Sequence, residues 1–208
     1  MLLIKEIFTS IQGEGEFAGR PAFFVRLAEC NLRCAFCDTD FKNGHSIKAS
    51  EIIDKLVTER RKCPNINLVI ITGGEPFLQD LFEILNALIQ EKYIVQIETN
   101  GTLYNDIPNG IFVTCSPKCN KNGEFYTINK ELLKKVTSFK FLISKFHKGY
   151  DKIPFDLSAF DSKIKYFLQP IDENDIEKNM QNMQLCYNLA LQTGVNISLQ
   201  MHKILSVK

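Results

Sequence analysis

The sequence predicts an α/β fold whose sheet is mainly parallel. Two patterns indicate this: short runs rich in Val, Ile and Phe recur along the chain, and amphipathic stretches separate them. The chain has 208 residues, of which 45% are hydrophobic, enough for one domain with a buried core. We therefore expect a single domain over residues 1–208. About six strand–helix repeats are too few for a closed eight-fold barrel, which leaves a partial (β/α) barrel or a doubly wound sheet.

The individual elements follow from local composition. Strands are predicted where β-branched and aromatic residues cluster, at Ala22–Leu27, Asn67–Thr72, Ile94–Ile97, Ile111–Cys115, Phe139–Ile143, Lys165–Leu168 and Asn196–Leu199. Helices are predicted where apolar residues have helical spacing: Glu51–Lys62 with Ser50 as N-cap, Leu81–Gln90, and a segment from Asp172 or Asn174 to about Thr193, which Gly194 ends.

Polar or glycine-rich segments follow five of the predicted strands. They begin at Thr72, Glu98, Ser116, Gln169 and Gln200. Because the carboxyl ends of parallel strands meet at one edge of a sheet, these segments predict one shared pocket there.

Composition restricts the classes of function. The formal net charge is +1, from 25 basic and 24 acidic residues, which is unlike a nucleic-acid-binding protein. No apolar run is long enough for a membrane span, and Lys5 and Glu6 interrupt the first residues where an export signal would be apolar. We expect a cytoplasmic protein, in which seven cysteines indicate metal binding or catalysis rather than disulfides.

Three of the cysteines, Cys30, Cys34 and Cys37, lie within eight residues. Thiolates suit iron–sulfur clusters or zinc. Three ligands on a four-iron cluster leave one iron free to be chelated by a substrate's amino and carboxylate groups. The alternative is a structural zinc site whose fourth ligand is His45, Cys63, Cys115 or Cys119. Such sites usually contain two C-x2-C pairs, and only Cys34 and Cys37 form one here. With this alternative set aside, Cys63, Cys115, Cys119 and Cys186 are expected to be incidental thiols.

The C-x3-C-x2-C spacing resembles the signature of the radical S-adenosylmethionine (SAM) superfamily. Gly73-Gly74-Glu75-Pro76, about forty residues later, resembles the segment that contacts the amino group of SAM in that superfamily. Physically, glycines let backbone carbonyls approach an ammonium group because no Cβ intervenes. We expect Phe36 either to pack near the adenine or to pack within the loop.

Further segments resemble the 7-carboxy-7-deazaguanine synthase (QueE) family from Phe8 to the end of the chain. They are Ser10-Ile11-Gln12-Gly13-Glu14-Gly15, Phe24-Val25-Arg26-Leu27, Cys37-Asp38-Thr39 and the terminal Gln200–Lys208. The resemblance implies a partial (β/α) barrel, often dimeric, that uses a 4Fe–4S cluster, SAM and Mg²⁺. It also implies conversion of 6-carboxy-5,6,7,8-tetrahydropterin to 7-carboxy-7-deazaguanine with loss of ammonia, in queuosine-type deazapurine biosynthesis. An electron donor such as flavodoxin or ferredoxin would serve as reductant.

The resemblance assigns roles residue by residue. It assigns SAM contacts to Phe36, Asp38, Gly74, Glu75, Ser116, Pro117, Lys118, Gln169 and Pro170. It assigns substrate contacts to Ile11, Gln12, Gly13, Glu14, Arg26, Thr72, His202 and Lys208. Thr39 matches the magnesium ligand. The chain departs from some members in its short spacing between the first two cysteines, and in having Phe36 where many members have Trp.

Two other functions share some of these features. A glycyl-radical activating enzyme has the same cysteine spacing and acts on a protein, but Ile-Gln-Gly-Glu-Gly and Cys-Asp-Thr argue against it. A non-catalytic zinc-binding module needs four convergent ligands, which the cysteine spacing does not favour.

Overall fold

Nine strands form one open sheet in the computed structural model, which describes residues 1–154 and 161–208. The strands are β1 (Leu2–Ile11), β2 (Pro21–Leu27), β3 (His45–Ile47), β4 (Leu68–Gly73), β5 (Ile94–Thr99), β6 (Phe112–Cys115), β7 (Ser138–Ile143), β8 (Lys165–Pro170) and β9 (Asn196–Ile197). The helices are α1 (Ala49–Lys62), α2 (Phe82–Gln90), α3 (Lys130–Leu133), α4 (Ile176–Thr193) and α5 (Met201–Ile204).

The strand order is β3-β1-β2-β4-β5-β6-β7-β8-β9. From β2 to β9 all neighbours are parallel, whereas β1 pairs antiparallel with both β2 and β3. The order of the parallel strands never reverses, so each crossover advances in the same direction, as in a barrel. A doubly wound sheet reverses at a switch point. Because the described residues contain no pairing between the edge strands β3 and β9, the barrel is partial, and that prediction is confirmed.

The described sheet has two more strands than the seven that were predicted, because β1 and β3 were not recognised. Lys5 and Glu6 interrupt the apolar pattern of β1, and a register shift lies between Ile4 and Glu6. The short helices α3 and α5 were also missed. Ser50 is not the N-cap of α1, because this helix begins at Ala49, two residues earlier than predicted, with Lys48 as its N-cap.

Helix α4, by contrast, begins later than the sequence predicted. Asp175 is its N-cap, and the Asp175 side chain accepts a hydrogen bond from the backbone N–H of Lys178, so neither Asp172 nor Asn174 is the cap. The predicted end is confirmed, since Gly194 adopts the left-handed conformation (φ 71°) that stops a helix.

The core has two unequal parts on the two faces of the sheet. On the outer face, α1 and α2 bury an apolar layer against the strands, including Leu56, Leu85 and Ile97. On the inner face, a small cluster around Phe24 and Ile70 fills the amino end of the half-barrel. Toward the carboxyl ends, inward-facing strand residues such as Thr72, Glu98 and Lys140 are polar, and they line a cavity. None of the helices in residues 1–154 and 161–208 combines the length and apolar character that crossing a bilayer requires.

Candidate active site

A cavity of about 460 Å³ opens at the carboxyl ends of the parallel strands. All five polar segments that follow predicted strands contribute to its wall, as expected. The predicted site residues that line it are Ile11, Gln12, Gly13, Glu14, Arg26, Cys30, Cys34, Phe36, Cys37, Asp38, Thr39, Thr72, Gly74, Ser116, Lys118, Gln169, Pro170, His202 and Lys208. Glu75 and Pro117 are absent from this wall.

The three cysteines of the loop after β2 face this cavity as free thiols, with Cys37 exposed and the other two half-buried. The loop turns so that the N–H of Cys37 bonds to the carbonyl of Cys34 at 3.3 Å. Burial raises the pKa of Cys30 and of Cys34, so a metal that binds these thiolates must displace their protons. Lys118 also lines the cavity, and its Nζ donates to the carbonyl oxygen of Ser116 at 2.6 Å.

Gly74 and Glu75 hold the cysteine loop from below. A Cβ on Gly74 would lie 1.6 Å from the carbonyl oxygen of Glu29, so the absence of a side chain lets the loop pack directly on this strand end. The Glu75 carboxylate is fully buried and accepts from the N–H of Asn100 at 2.8 Å and from the Thr99 hydroxyl at 2.6 Å. The Glu75 carboxylate therefore braces two strand ends behind the cavity wall, and the assigned contact of this residue with SAM stays a prediction.

The wall of the same cavity also carries a buried ion pair. Lys140 on β7 is 6% exposed, its Nζ bonds the Glu14 carboxylate, and it lies 3.9 Å from the Glu98 carboxylate. Burial alone raises the pKa of Glu14, but the charge and hydrogen bond of Lys140 outweigh it, and the pKa is lowered. Glu14 is thus held as a carboxylate, which acts only as a hydrogen-bond acceptor.

A chain of buried amides and hydroxyls supports these carboxylates. Gln12 donates from Nε2 to both Gln96 Oε1 and Glu98 Oε1, each at 2.9 Å. Gln96 in turn donates to the Thr114 hydroxyl at 2.6 Å, which bonds Ser138 at 2.8 Å. The amide group of Gln12 thus helps to position Glu98. Its assigned substrate contact stays a prediction.

Arg26 lies between two acceptors. Its Nε donates to Glu6 at 2.8 Å and its Nη1 donates to the Thr39 hydroxyl at 3.3 Å. Lys208 also pairs with Glu6, and its Nζ lies 4.7 Å from the centre of the Phe8 ring. The Lys208 side chain is thus engaged with β1, a contact that the sequence did not indicate.

The segment after β9 closes the cavity beside Gly13. A Cβ on Gly13 would lie 2.0 Å from Nδ1 of His202, so only glycine permits this close approach. Gln200 links the turn after β1 to the cysteine loop, because its Nε2 donates to Glu14 at 2.8 Å and to Asp38 at 3.2 Å. Lys203 contacts Asp38 at 3.0 Å and Asp172 at 2.9 Å, and its hydrogen bond lowers the pKa of Asp172 to about 2.

Comparison with known proteins identifies the family. The family model for the radical SAM superfamily matches residues 26–111. A 7-carboxy-7-deazaguanine synthase of Rickettsia prowazekii is 43% identical over 211 residues, with coverage of 100% of this chain and 89% of the relative. The chain belongs to the 7-carboxy-7-deazaguanine synthase family. A member from Escherichia coli is 30% identical, with coverage of 98% of both chains.

Solved structures agree with this family assignment. The crystal structure of QueE from Escherichia coli has a TM-score of 0.76 at 26% identity and covers 96% of this chain and 93% of its own. SuiB of Streptococcus suis, with a TM-score of 0.52 at 15% identity, covers 82% of this chain and 48% of its own and shares the fold alone.

As a member of the synthase family, and so of the radical SAM superfamily, the chain uses a 4Fe–4S cluster and SAM. The donor set fits a cluster better than zinc. Among the described residues, no three His, Cys, Asp or Glu side chains converge on a point where a single metal ion would sit. A tetrahedral zinc site requires such convergence, whereas three cysteines of a cubane bind three different irons.

The residues that sequence reasoning missed are mainly those that act in pairs: Glu6, Lys140, Asp172 and Lys203. A signal existed for Lys140, since it is a lone charge inside the apolar run Phe139–Ile143, where a buried charge requires a partner. The other three have the spacing of ordinary surface charges.

Proposed function

We propose that this protein converts 6-carboxy-5,6,7,8-tetrahydropterin to 7-carboxy-7-deazaguanine with loss of ammonia, in queuosine-type deazapurine biosynthesis. The observation that carries the proposal is one cavity lined by the three cysteines and by anchored carboxylates, in a chain that matches named synthases over its whole length. We also propose that residues 1–208 act as a single domain, supported by the continuous sheet.

In this proposal, Cys30, Cys34 and Cys37 hold the cluster. When bound and reduced, the cluster would supply the electron for cleaving SAM, which is the chemistry needed to remove a hydrogen atom from the pterin. The SAM contacts are assigned to Phe36, Asp38, Gly74, Ser116, Lys118, Gln169 and Pro170, all on the cavity wall. The other two assigned SAM contacts, Glu75 and Pro117, adjoin residues of that wall.

Around the substrate, each assigned residue offers a matching group. The Glu14 carboxylate, fixed by Lys140, accepts from the N–H donors of the pterin, and the guanidinium of Arg26 binds its carboxylate. The bonds of Arg26 to Glu6 and Thr39 use Nε and Nη1, so its Nη2 can donate in this contact. The remaining assigned contacts, all on the same wall, are Ile11, Gln12, Gly13, Thr72, His202 and Lys208.

Magnesium is assigned to the Thr39 hydroxyl. Its oxygen lies 3.4 Å from Oδ1 of Asp38, so two hard oxygen donors adjoin at the cavity wall. Mg²⁺ prefers such donors and keeps several waters, which leaves positions for substrate oxygens.

The protein is further proposed to be a cytoplasmic homodimer that receives electrons from a protein donor such as flavodoxin or ferredoxin. All seven cysteines are free, as is usual in a reducing compartment. For the dimer, the support is an exposed apolar stripe along one face of α4, formed by Ile176, Met180, Met183, Tyr187 and Leu191. Met180→Glu with Leu191→Glu should yield monomers in light-scattering measurements, and an unchanged mass would remove α4 from the interface.

The deciding experiment is anaerobic turnover with SAM, Mg²⁺ and the carboxytetrahydropterin, followed by mass spectrometry. The expected product is 7-carboxy-7-deazaguanine, with ammonia formed in equal amount. SAM cleavage without any change in the pterin would contradict the proposed substrate while leaving the cluster assignment intact.

A further inference from the structure

One carboxylate binds two cations that line the candidate active site. Oε1 of Glu6 accepts from Nε of Arg26 at 2.8 Å, and Oε2 of Glu6 forms an ion pair with Nζ of Lys208. Both cations lie on the wall of the site cavity, whereas Glu6 lines a second cavity formed by residues of β1, β3 and α1. Because both cations are assigned to the substrate, any role of Glu6 toward that ligand rests on the proposed function.

The pairing of β1 with β2 brings Glu6 beside Arg26. The two residues are direct partners in the antiparallel register. Ile4 is opposite Leu27, and a register shift follows before Glu6. Without that shift, Lys5 would lie opposite Arg26, and two like charges would face each other. The irregularity in β1 therefore replaces a repulsive pair with an attractive one.

The ring of Phe8 gives both cations a second contact. Phe8 is opposite Phe24 in the register and stacks on it, with the ring centroids 4.9 Å apart. Cζ of Arg26 lies 5.4 Å from the centre of the Phe8 ring, and Nζ of Lys208 lies 4.7 Å from it. Cations at such distances are attracted to the face of an aromatic ring. Each cation is therefore held at two points, by Glu6 and by the ring.

The Glu6 carboxylate uses a different oxygen for each cation. A glutamine of the same size has one acceptor oxygen and one NH2 donor, so it could accept from only one of the two cations. The side chains of Arg26 and Glu6 are 21% and 28% exposed, so this pair is partly shielded from water. Burial raises the pKa of Glu6, but the bonds and charges of Lys208 and Arg26 outweigh it and lower the pKa. Glu6 is thus ionised at neutral pH.

We propose that Glu6 is a positioning residue that fixes Arg26 and Lys208 in the geometry that receives the carboxylate of the pterin. Nε and Nη1 of Arg26 are bonded to Glu6 and to the Thr39 hydroxyl, which fixes the plane of the guanidinium and keeps Nη2 for the ligand. Two cations and one acid sum to one positive charge, which a single carboxylate of a ligand neutralises.

The sign of the effect on binding distinguishes positioning from charge alone. Removing a negative charge near an anionic ligand relieves repulsion and strengthens binding. Releasing two cations from fixed positions weakens binding, because their conformational freedom must be lost again when the ligand binds. The proposal predicts the second outcome for Glu6→Gln, which removes the charge and one acceptor but keeps the size of the side chain.

The test measures equilibrium binding to the anaerobic holoenzyme with SAM and without a reductant. The ligands are 6-carboxy-5,6,7,8-tetrahydropterin and its 6-carboxamide, which keeps the ring system but lacks the charge. The matched control is Glu59→Gln, because Glu59 also lines the second cavity but pairs with Lys62, at 2.7 Å.

Glu6→Gln should raise the Kd of the carboxylate about fivefold and should change the Kd of the carboxamide less than about twofold. Glu59→Gln should leave both values unchanged. Unchanged or tighter binding of the carboxylate by Glu6→Gln would overturn the proposal. Equal weakening for the two pterins would also overturn it, since that pattern indicates a general structural defect.

A second measurement needs no pterin. Modification of Arg26 by phenylglyoxal, located by mass spectrometry, should be about threefold faster in Glu6→Gln than in the wild type or in Glu59→Gln, because the guanidinium is released. Equal rates in the three proteins would overturn the proposal. A wild type that binds no carboxytetrahydropterin would contradict the proposed function, and the rate of Arg26 modification would then still decide the role of Glu6.

Discussion

Replacing Lys140 with Met tests whether this residue keeps Glu14 ionised. The side chains of Lys140 and Glu14 are only 7% and 12% exposed, so water cannot take the place of the lost ammonium group. Removing one partner of a buried ion pair costs about 3–5 kcal/mol, because the other charge stays buried. Gln200 still donates to Glu14, so we expect the lower end, about 3 kcal/mol.

The pKa of Glu14 determines how the destabilisation of the variant changes with pH. In the wild type the pKa of Glu14 is lowered, so its ion pair stabilises the fold above the ordinary value of 4.5 and is lost only as pH falls toward the folded pKa. Without Lys140, burial raises the pKa of Glu14, and keeping it ionised costs stability as pH rises. The variant should therefore be more strongly destabilised at pH 8 than at pH 5.5.

Thermal denaturation of the anaerobic holoenzyme measures this effect. A loss of about 3 kcal/mol corresponds to a Tm decrease of roughly 6–12 °C for a chain of this size. The control is Lys140→Met with Glu14→Gln, which removes both charges and should recover most of the loss. Equal destabilisation of the single variant at both pH values, or no recovery in the double variant, would refute the assignment of Glu14 as a carboxylate held by Lys140.

Three further predictions concern the cluster, the magnesium site and the buried acid. Cys34→Ala should lose both the roughly four irons per chain expected of one cubane cluster and SAM cleavage, whereas Cys63→Ala should keep both; intact cleavage by the Cys34 variant would contradict the ligand assignment. Thr39→Ala should lose most of the Mg²⁺ stimulation of turnover with its iron content unchanged, and Thr39→Ser should retain it, whereas the same stimulation in all three proteins would exclude the hydroxyl. Glu75→Gln replaces an acceptor of several buried hydrogen bonds and should lower the free energy of unfolding by about 1–3 kcal/mol, measured by denaturant titration, with an unchanged value arguing against the bracing role.

Much of the fold was predictable because parallel strands bury both faces and so appear as continuous apolar runs. Strands such as β4 and β7 were located to within one residue or so by that signal. Strand β1 was not, because it lies beside the site and carries Lys5 and Glu6, whose charges serve contacts with residues far away in sequence.

The candidate site likewise contains residues that local sequence patterns indicate and residues that meet only through long-range contacts. The cysteine spacing and the glycine-rich turn are local patterns, so they indicated the cavity without a structure. Lys140 and Glu14 are 126 residues apart, and no local pattern states that they meet. Glu75 lies within the motif that resembles the SAM-binding segment, but nothing in that motif indicated that its carboxylate would accept from Thr99 and from the N–H of Asn100.

The cysteines and the anchored carboxylates of the cavity come from different parts of the chain, and this separation has an evolutionary consequence. The cysteines occupy a single loop after β2, whereas Glu14 follows β1, Glu98 lies on β5 and Lys140 lies on β7. Mutations that alter the choice of substrate can therefore accumulate without changing the cysteine loop. Such a scaffold can acquire a new reaction when residues around the carboxylates change and the cysteine loop is kept. A search for altered substrate preference is therefore best directed at the residues around Glu14 and Glu98.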